Sequence, residues 1–126
     1  MRAVLDTSVL IATNVAELEG ELAISAASLA ELHFGVLITA DVKIRAERLR
    51  RLSDLQRKFD ALPVDEAVAT SYGQLAAVVA SSGRRPRSRV MDLLIAATAH
   101  AHSARLYTRN AQDLGGIEHL DDIVSV

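Results

Sequence analysis

Four acidic residues of this 126-residue chain, at positions 6, 31, 92 and 113, have the types and surroundings expected of a divalent-metal site. Asp6 and Asp113 follow short apolar runs, whereas Glu31 and Asp92 interrupt segments that are otherwise largely apolar. Carboxylates gathered without a counter-charge would repel one another, and such hard oxygen ligands suit Mg²⁺ or Mn²⁺. Two such ions activate a water and steady the leaving oxygen in phosphodiester chemistry. The four acids therefore predict that chemistry if the fold brings them together.

Each acid also has a structural interpretation. Asp6 suits a helix N-cap, Glu31 a solvated helix face, and Asp113 a turn. Asp92 near a helix start would be stabilised by the helix dipole. Its helix is nearly all apolar, however, so a charge there needs a partner or a metal. Taken singly, only Asp92 favours function, and convergence of all four would decide between the interpretations.

Short apolar runs rich in β-branched residues predict five buried strands. They lie at 3–5, 22–25, 62–64, 106–108 and 123–126. Pro63 predicts that the third strand lies at an edge of its sheet. Helical patterns lie between these strands. The first predicted helix is capped by Ser25 and runs to about 38, and the second lies at 41–61. The third runs from 65 to about 82, where Gly83 ends it, and the fourth runs from a Ser88 cap to about 101. The second of these carries apolar residues at 49, 52, 55 and 59, and the last is nearly all apolar and is expected to be largely buried.

Alternating strands and helices predict one α/β domain over 1–126, with a parallel sheet covered on both faces. Ligand sites in such sheets lie beyond the carboxyl ends of the strands. Asp6 and Asp113 leave the sheet at that edge. The helix of Asp92 runs back antiparallel to the strand after it, which brings its start to the same edge. Glu31 lies about two turns into the helix after the second strand.

Composition narrows the class of protein further. The chain has no cysteine, which excludes disulfides, zinc–thiolate sites and a cysteine nucleophile. An acid at position 6 precludes a signal-peptide core, and no apolar run approaches the roughly 18 residues of a membrane helix, so we expect a cytoplasmic protein. The net charge is −2, yet seven of the 14 Lys and Arg lie within 43–58 and four more are Arg84, Arg85, Arg87 and Arg89. We interpret Arg48, Arg51 and Lys58 as a solvated helix face and the four later arginines as RNA-phosphate contacts.

Four segments resemble, in order, those of PIN-domain proteins, in particular the VapC-type toxins of type II toxin–antitoxin pairs. They are LDTSVLI at 5–11, SAASLAELHFG at 25–35, DLLIAATA at 92–99 and TRNAQDL at 108–114. The resemblance implies a three-layer α/β/α fold around a parallel sheet of about five strands. It also implies a Mg²⁺-dependent endoribonuclease, with Mn²⁺ as a possible substitute, that leaves a 5′-phosphate and a 3′-hydroxyl on tRNA or ribosomal RNA.

The resemblance also assigns roles and partners. Asp6 and Asp92 would be the principal metal ligands, and Glu31 and Asp113 would complete the set. The supporting residues it implies, which orient ligands or contact phosphate, are Ser8, Thr108 and Asn110. We add Arg87, Arg89 and Arg109 as RNA contacts. The implied partners are a VapB-type antitoxin, whose basic side chain could enter the acidic pocket, and a second copy of the chain in a homodimer or a larger assembly with the antitoxin.

Some features depart from the family pattern or favour other functions. Leu114 stands where phenylalanine is common, and the segment between Ile11 and Leu22 is short, which predicts a truncated first helix and loop. The four histidines lack convincing catalytic spacing. A phosphotransfer domain of the receiver or dehalogenase type would need a late lysine, and no lysine follows Lys58. A non-catalytic binding module remains the main alternative, and the intact acid set argues against it.

Overall fold

The computed structural model describes residues 1–12 and 17–126, and within them a single five-stranded sheet forms the centre of the fold. Its strands are β1 (Arg2–Leu5), β2 (Glu21–Ser25), β3 (Asp60–Leu62), β4 (Arg105–Thr108) and β5 (Ile123–Ser125). All neighbouring pairs are parallel, in the order β3-β2-β1-β4-β5. The strand order reverses beside β1, and the crevice at such a reversal is where parallel sheets place ligands.

In the described part of the chain, five α-helices connect the strands: α1 (Thr7–Leu10), α2 (Ala26–Ile38), α3 (Val42–Lys58), α4 (Glu66–Ser81) and α5 (Val90–Ala101). Side-chain caps begin three of them. Ser25 Oγ accepts from the backbone N–H of Ala27, and the carboxylates of Asp41 and Asp65 cap α3 and α4. Each cap satisfies amide donors that the first helical turn leaves unpaired. Single 3₁₀ turns, Pro86–Arg89 and Ala111–Leu114, follow α4 and β4.

The helices cover both faces of the sheet, and this confirms the predicted three-layer α/β/α fold. One core joins α4 and α5 to the face that carries Val4 and Leu106. The second core packs α1 and α2 against Leu5, Ile24 and Tyr107 on the opposite face. Side chains alternate between faces along a strand, so consecutive apolar residues of β1 supply both cores. The continuous hydrophobic runs of the sequence are the consequence of this double burial.

The α5 helix is buried almost all round, as its composition predicted. Leu93, Ile95 and the run 96–99 have almost no exposed surface. No helix among the described residues is both long and apolar enough to cross a membrane.

The structure corrects two boundaries and the exposure of one residue. The third strand lies at 60–62 instead of 62–64, since Pro63 has no amide to continue the ladder; β3 is nevertheless an edge strand, as predicted. The helix predicted over 41–61 ends at Lys58, and Leu49, predicted to be on its apolar face, is 51% exposed. Only Leu52 of that face is fully buried.

The predicted Ser88 cap of α5 is wrong. Pro86 begins a 3₁₀ turn that leads directly into α5, and the Ser88 hydroxyl donates to the carbonyl of Arg85 within that turn. Arg89 occupies the N-cap position without a side-chain cap bond. Val90, which we expected on the buried face, is 37% exposed. The short segment between Ile11 and Leu22, expected to be truncated, includes residues 13–16, which lie outside the described residues; α1 itself has four residues.

Candidate acidic active site

Asp6 lies directly beyond the carboxyl end of β1, at the crevice where the strand order reverses. Its amide donates to the carbonyl of Tyr107 at 2.9 Å, which extends the β1–β4 pairing by one residue. Asp6 holds the N-cap position of α1, yet its carboxylate makes no cap bond. Its Oδ2 instead accepts hydrogen bonds from two hydroxyls, Ser8 Oγ at 2.6 Å and Thr108 Oγ1 at 2.9 Å. The alternative that Asp6 is simply a cap therefore does not describe its side chain.

The two hydroxyls that orient Asp6 are themselves held by the loop after β4. Ser8 Oγ accepts from the backbone N–H of Arg109 at 3.0 Å, and Thr108 Oγ1 accepts from the N–H of Asn110 at 3.0 Å. With these acceptor positions filled, each hydroxyl proton is directed to the Asp6 carboxylate. Asn110, expected to support the site, does so here through its backbone.

Glu31 reaches the site from the second turn of α2. Its Oε1 accepts from Thr7 Oγ1 at 2.7 Å, and Thr7 Oγ1 also lies 3.0 Å from Ser28 Oγ. Thr7 and Ser28 were not singled out by the sequence analysis. Thr7 belongs to the recognised segment 5–11, and Ser28 precedes Glu31 by one helical turn, so spacing on the α2 face was the available signal.

Asp92, in the first turn of α5, and Asp113, in the turn after β4, share one cation. Arg89 Nη1 lies 3.2 Å from Asp113 Oδ1 and 3.9 Å from Asp92 Oδ2. The side chains of Asp92, Arg89 and Asp113 are 38%, 41% and 35% exposed. All three are therefore open enough to exchange partners with a ligand. We expected Arg89 to contact RNA, and the structure places its guanidinium between two acids.

The electrostatics of Asp92 show that the four acids form one cluster. Partial burial raises the pKa of Asp92 most, and the charges of Asp6 and Glu31 raise it further. Arg89 lowers the pKa of Asp92, and Asp113 raises it. Since Coulomb interactions fall with distance and are screened by solvent, charges that act on Asp92 in this way must lie near it.

The donor set fits a hard divalent cation. Four carboxylates face one arginine, so the site has an excess of negative charge and offers only oxygen ligands. Within residues 1–12 and 17–126, no three acidic or histidine side chains already enclose a common point as a cage. Mg²⁺ does not require one, because it usually keeps several waters and binds proteins through one or two carboxylates.

The other residues considered in the sequence analysis lie around this cluster or away from it. Arg87 and Arg109 are exposed on the two loops that flank it. His100 is within 2.8 Å of Ser71 Oγ through its Nδ1, and His102 pairs with Arg2 at 3.3 Å, both away from the acids. His33 is exposed.

The fold and the site together define a three-layer α/β/α protein with an acidic cluster at the carboxyl edge of a parallel sheet. The chain belongs to the PIN-domain family: the family model named "PIN domain" matches residues 3–114. This confirms the family inferred from the four segments.

Curated relatives and solved structures agree with this assignment. Ribonuclease VapC5 of Mycobacterium tuberculosis is 39% identical over 113 residues, which cover 85% of this chain and 82% of that protein. Ribonuclease VapC8 of the same species is 39% identical over 99 residues, covering 75% of this chain and 88% of that protein. Among solved structures, VapBC-5, a toxin–antitoxin system of M. tuberculosis, matches with a TM-score of 0.84 and 35% identity over 99% of this chain and 97% of that one. FitAcB of Neisseria gonorrhoeae matches with a TM-score of 0.79 and 25% identity, over 98% and 96% of the two chains.

Proposed function

We propose that this chain is a metal-dependent endoribonuclease and the toxin of a type II toxin–antitoxin pair. The observation that carries the proposal is the group of four carboxylates at the carboxyl edge of the sheet, in which the charges of Asp6, Glu31 and Asp113 all act on Asp92. The relatives of 39% identity are ribonucleases, which supports the reaction, and the similar VapBC-5 structure belongs to a toxin–antitoxin system, which supports the biological role. The substrate in this proposal is structured RNA, either tRNA or ribosomal RNA.

Mg²⁺ is the proposed ion, with Mn²⁺ as a substitute. Asp6 and Asp92 would hold it, with Glu31 and Asp113 completing the acidic set directly or through water. When bound, such an ion makes water a stronger nucleophile at neutral pH and stabilises the charge that develops on a phosphodiester.

The protein's own contribution is orientation and charge. Ser8 and Thr108 fix the Asp6 carboxylate, and Thr7 fixes that of Glu31. A carboxylate whose hydroxyl partners are already in place pays little ordering cost when it binds an ion. Cleavage by water that leaves a 5′-phosphate and a 3′-hydroxyl then requires the RNA phosphate to lie at this edge, next to the exposed loops of Arg87 and Arg109.

The proposed partner is a VapB-type antitoxin, and the proposed place of action is the cytoplasm. Large apolar side chains stand exposed where α2 ends and α3 begins: Phe34 at 65%, Leu37 at 71%, Ile38 at 64% and Val42 at 79%. An apolar patch of this kind on a monomer marks an interaction surface. We assign it to an apolar segment of the antitoxin, which would extend a basic side chain into the acidic cluster. We also propose that the chain forms a homodimer.

Metal binding and RNA cleavage by three variants test the proposal. Asp6→Asn and Asp92→Asn should each reduce Mn²⁺ affinity and cleavage by roughly 100-fold or more, since even outer-shell changes cost 10–100-fold. Asp60→Asn is the matched control. Asp60 is an exposed acid at the amino end of β3, whereas the acidic cluster lies at the carboxyl ends of the strands. Calorimetry measures Mn²⁺ binding, and end-labelled RNA measures cleavage. Equal Mn²⁺ affinity in all three variants and wild type would remove the metal site and favour a non-catalytic binding module.

A further inference from the structure

A cavity of about 410 Å³ opens beside the acidic cluster and is not used by the proposed reaction. The end of α4, the 83–89 segment, α5 and the turn at 113–115 enclose it. It shares Arg89 and Asp113 with the cluster, so the two sites are continuous. Its volume lies within the roughly 300–1,000 Å³ typical of small-molecule pockets.

The cavity has an apolar floor and a cationic rim. Val79, Leu93 and Leu114 form the floor and are each at most 4% exposed. Arg84, Arg85 and Ser88 form much of the rim. An apolar surface beside guanidinium groups is suited to a ligand with a flat apolar body and an anionic end.

The two rim arginines carry positive charge that the protein does not neutralise in an ion pair. Throughout 1–12 and 17–126, neither Arg84 nor Arg85 has a carboxylate within 4.0 Å. Arg84 acts only at longer range, where it helps to lower the pKa of Glu118 after hydrogen bonds from the backbone amides of Glu118 and Gly116. Arg89 pairs with Asp113, which also lines the cavity, so Arg84 and Arg85 are the cations that attract an anion into it.

The backbone holds this rim in place. The amide of Arg84 donates to the carbonyl of Val79 at 3.2 Å, and Gly83 turns the chain with a φ of +84°. The guanidinium of Arg84 lies against Gly115, where a β-carbon would collide with it. Gly115 therefore leaves the space that lets Arg84 reach the rim.

We propose that this cavity binds one unpaired ribonucleotide of the RNA, adjacent to the phosphate that is cleaved. The base of this nucleotide lies on the apolar floor and stacks on the plane of an arginine guanidinium. Arg84 and Arg85 bind the phosphate of the same nucleotide. None of the described residues that line the cavity is aromatic, and arginine planes serve the same stacking role in RNA recognition. The proposal rests on the proposed ribonuclease function and adds a specificity site to it.

Binding without cleavage tests the site directly. In EDTA, the four nucleoside 5′-monophosphates and inorganic phosphate are titrated into the full chain by calorimetry, and a labelled single-stranded RNA is titrated by fluorescence anisotropy. At least one mononucleotide should bind more tightly than inorganic phosphate, because the floor contributes. Phosphate binding as tightly as every mononucleotide, or no binding of any mononucleotide, would overturn the proposal.

Matched variants separate a cavity from general charge attraction. Arg84→Ala and Arg85→Ala should weaken RNA binding by roughly 5–20-fold and lower the salt slope by about 0.7 each, the value for one phosphate contact on a single strand. Arg50→Ala removes the same charge from the exposed surface of α3, and Arg50 does not line the cavity, so it should change affinity by less than about twofold. Equal losses in all three variants would mean that the arginines act only as diffuse positive charge.

A change without loss of charge completes the test. Gly115→Ala displaces the Arg84 guanidinium and should weaken mononucleotide binding, whereas Gly73→Ala, on α4 with nothing within 4 Å of its new carbon, should not.

If Arg84→Ala and Arg85→Ala keep RNA affinity but weaken antitoxin binding, the cavity holds an acidic peptide and the proposal is wrong. If wild type cleaves RNA in Mn²⁺ and all cavity variants behave like it, only this inference fails; if wild type does not cleave, the proposed function fails separately.

Discussion

Asp121 carries a buried charge that the fold does not compensate, and replacing it should stabilise the protein at alkaline pH. The residue is 7% exposed, and within the described residues neither side-chain oxygen has a hydrogen-bond partner. Burial raises the pKa of Asp121 from an ordinary 3.8 to about 7. The folded protein therefore favours the neutral acid, and ionising it costs stability.

The direction in which folding stability changes with pH follows from the raised pKa of Asp121. The unfolded chain loses this proton near its ordinary pKa of 3.8 and the folded chain only near 7, so folding stability falls as pH rises between those values and is level above them. At roughly 1.4 kcal/mol per pH unit, the gap corresponds to an upper limit of about 4 kcal/mol, and solvent screening reduces the expected cost to about 2 kcal/mol. Asp121→Asn removes the ionisation and should recover that amount at pH 8.

Urea unfolding at pH 5 and pH 8 measures the effect. The stability gained by Asp121→Asn should be larger at pH 8 than at pH 5, because the wild-type carboxyl is less ionised in the folded state at pH 5. Asp122→Asn is the control: Asp122 is exposed and pairs with Arg105 at 2.9 Å, so its loss should cost at most about 1 kcal/mol. A gain that is the same at both pH values would refute the assignment of the raised pKa to Asp121.

Three further changes test the site and its partner surface. Thr108→Val removes the 2.9 Å bond to Asp6 and should lower Mn²⁺ affinity by about tenfold in calorimetry. Thr7→Ala leaves Glu31 without its hydroxyl partner and should lower the cleavage rate by about tenfold while unfolding free energy falls by no more than about 1 kcal/mol. Phe34→Glu places a charge in the exposed apolar patch and should weaken antitoxin binding at least about tenfold in a pull-down titration, with RNA cleavage unchanged.

Each of these changes has a matched control. Thr70→Val removes a hydroxyl that bonds only within α4, so Mn²⁺ affinity and cleavage should stay at wild-type values. Val64→Glu changes an apolar residue that is 44% exposed and follows β3, outside the α2–α3 patch. A loss of antitoxin binding equal to that of Phe34→Glu would show that the patch has no special part in docking.

The sheet and most helix starts could be predicted because they depend on local patterns. Five apolar runs predicted five strands, and Ser25 and Asp65 were correctly placed at helix starts, since capping depends on residues two or three positions away. The predicted cap at Ser88 was wrong because Pro86 imposes a 3₁₀ turn. The third strand was displaced because Pro63 has no amide to continue the ladder, so the pairing with β2 ends at Leu62.

The positions of the acids could be inferred from topology, but their partners could not. Thr7 meets Glu31 across 24 residues, and Thr108 meets Asp6 across 102. No local sequence pattern predicts contacts between residues so far apart along the chain. Arg89 illustrates the same limit. Its charge suggested an RNA contact, yet the fold places its guanidinium 3.2 Å from the carboxylate of Asp113, in the turn after β4.

The charge of Asp92 opposes folding stability, and this supports a functional origin for that residue. Burial and the neighbouring charges of Asp6 and Glu31 raise the pKa of Asp92 even though Arg89 stands beside it. A residue retained for helix capping or dipole stabilisation would instead have its charged form favoured by its surroundings. Asp92→Asn should therefore stabilise the apo protein while it abolishes metal binding, an opposition typical of sites kept for chemistry at a cost in stability. Destabilisation of the apo protein by Asp92→Asn would show that the charge serves the fold, and the structural interpretation of Asp92 would then be preferred.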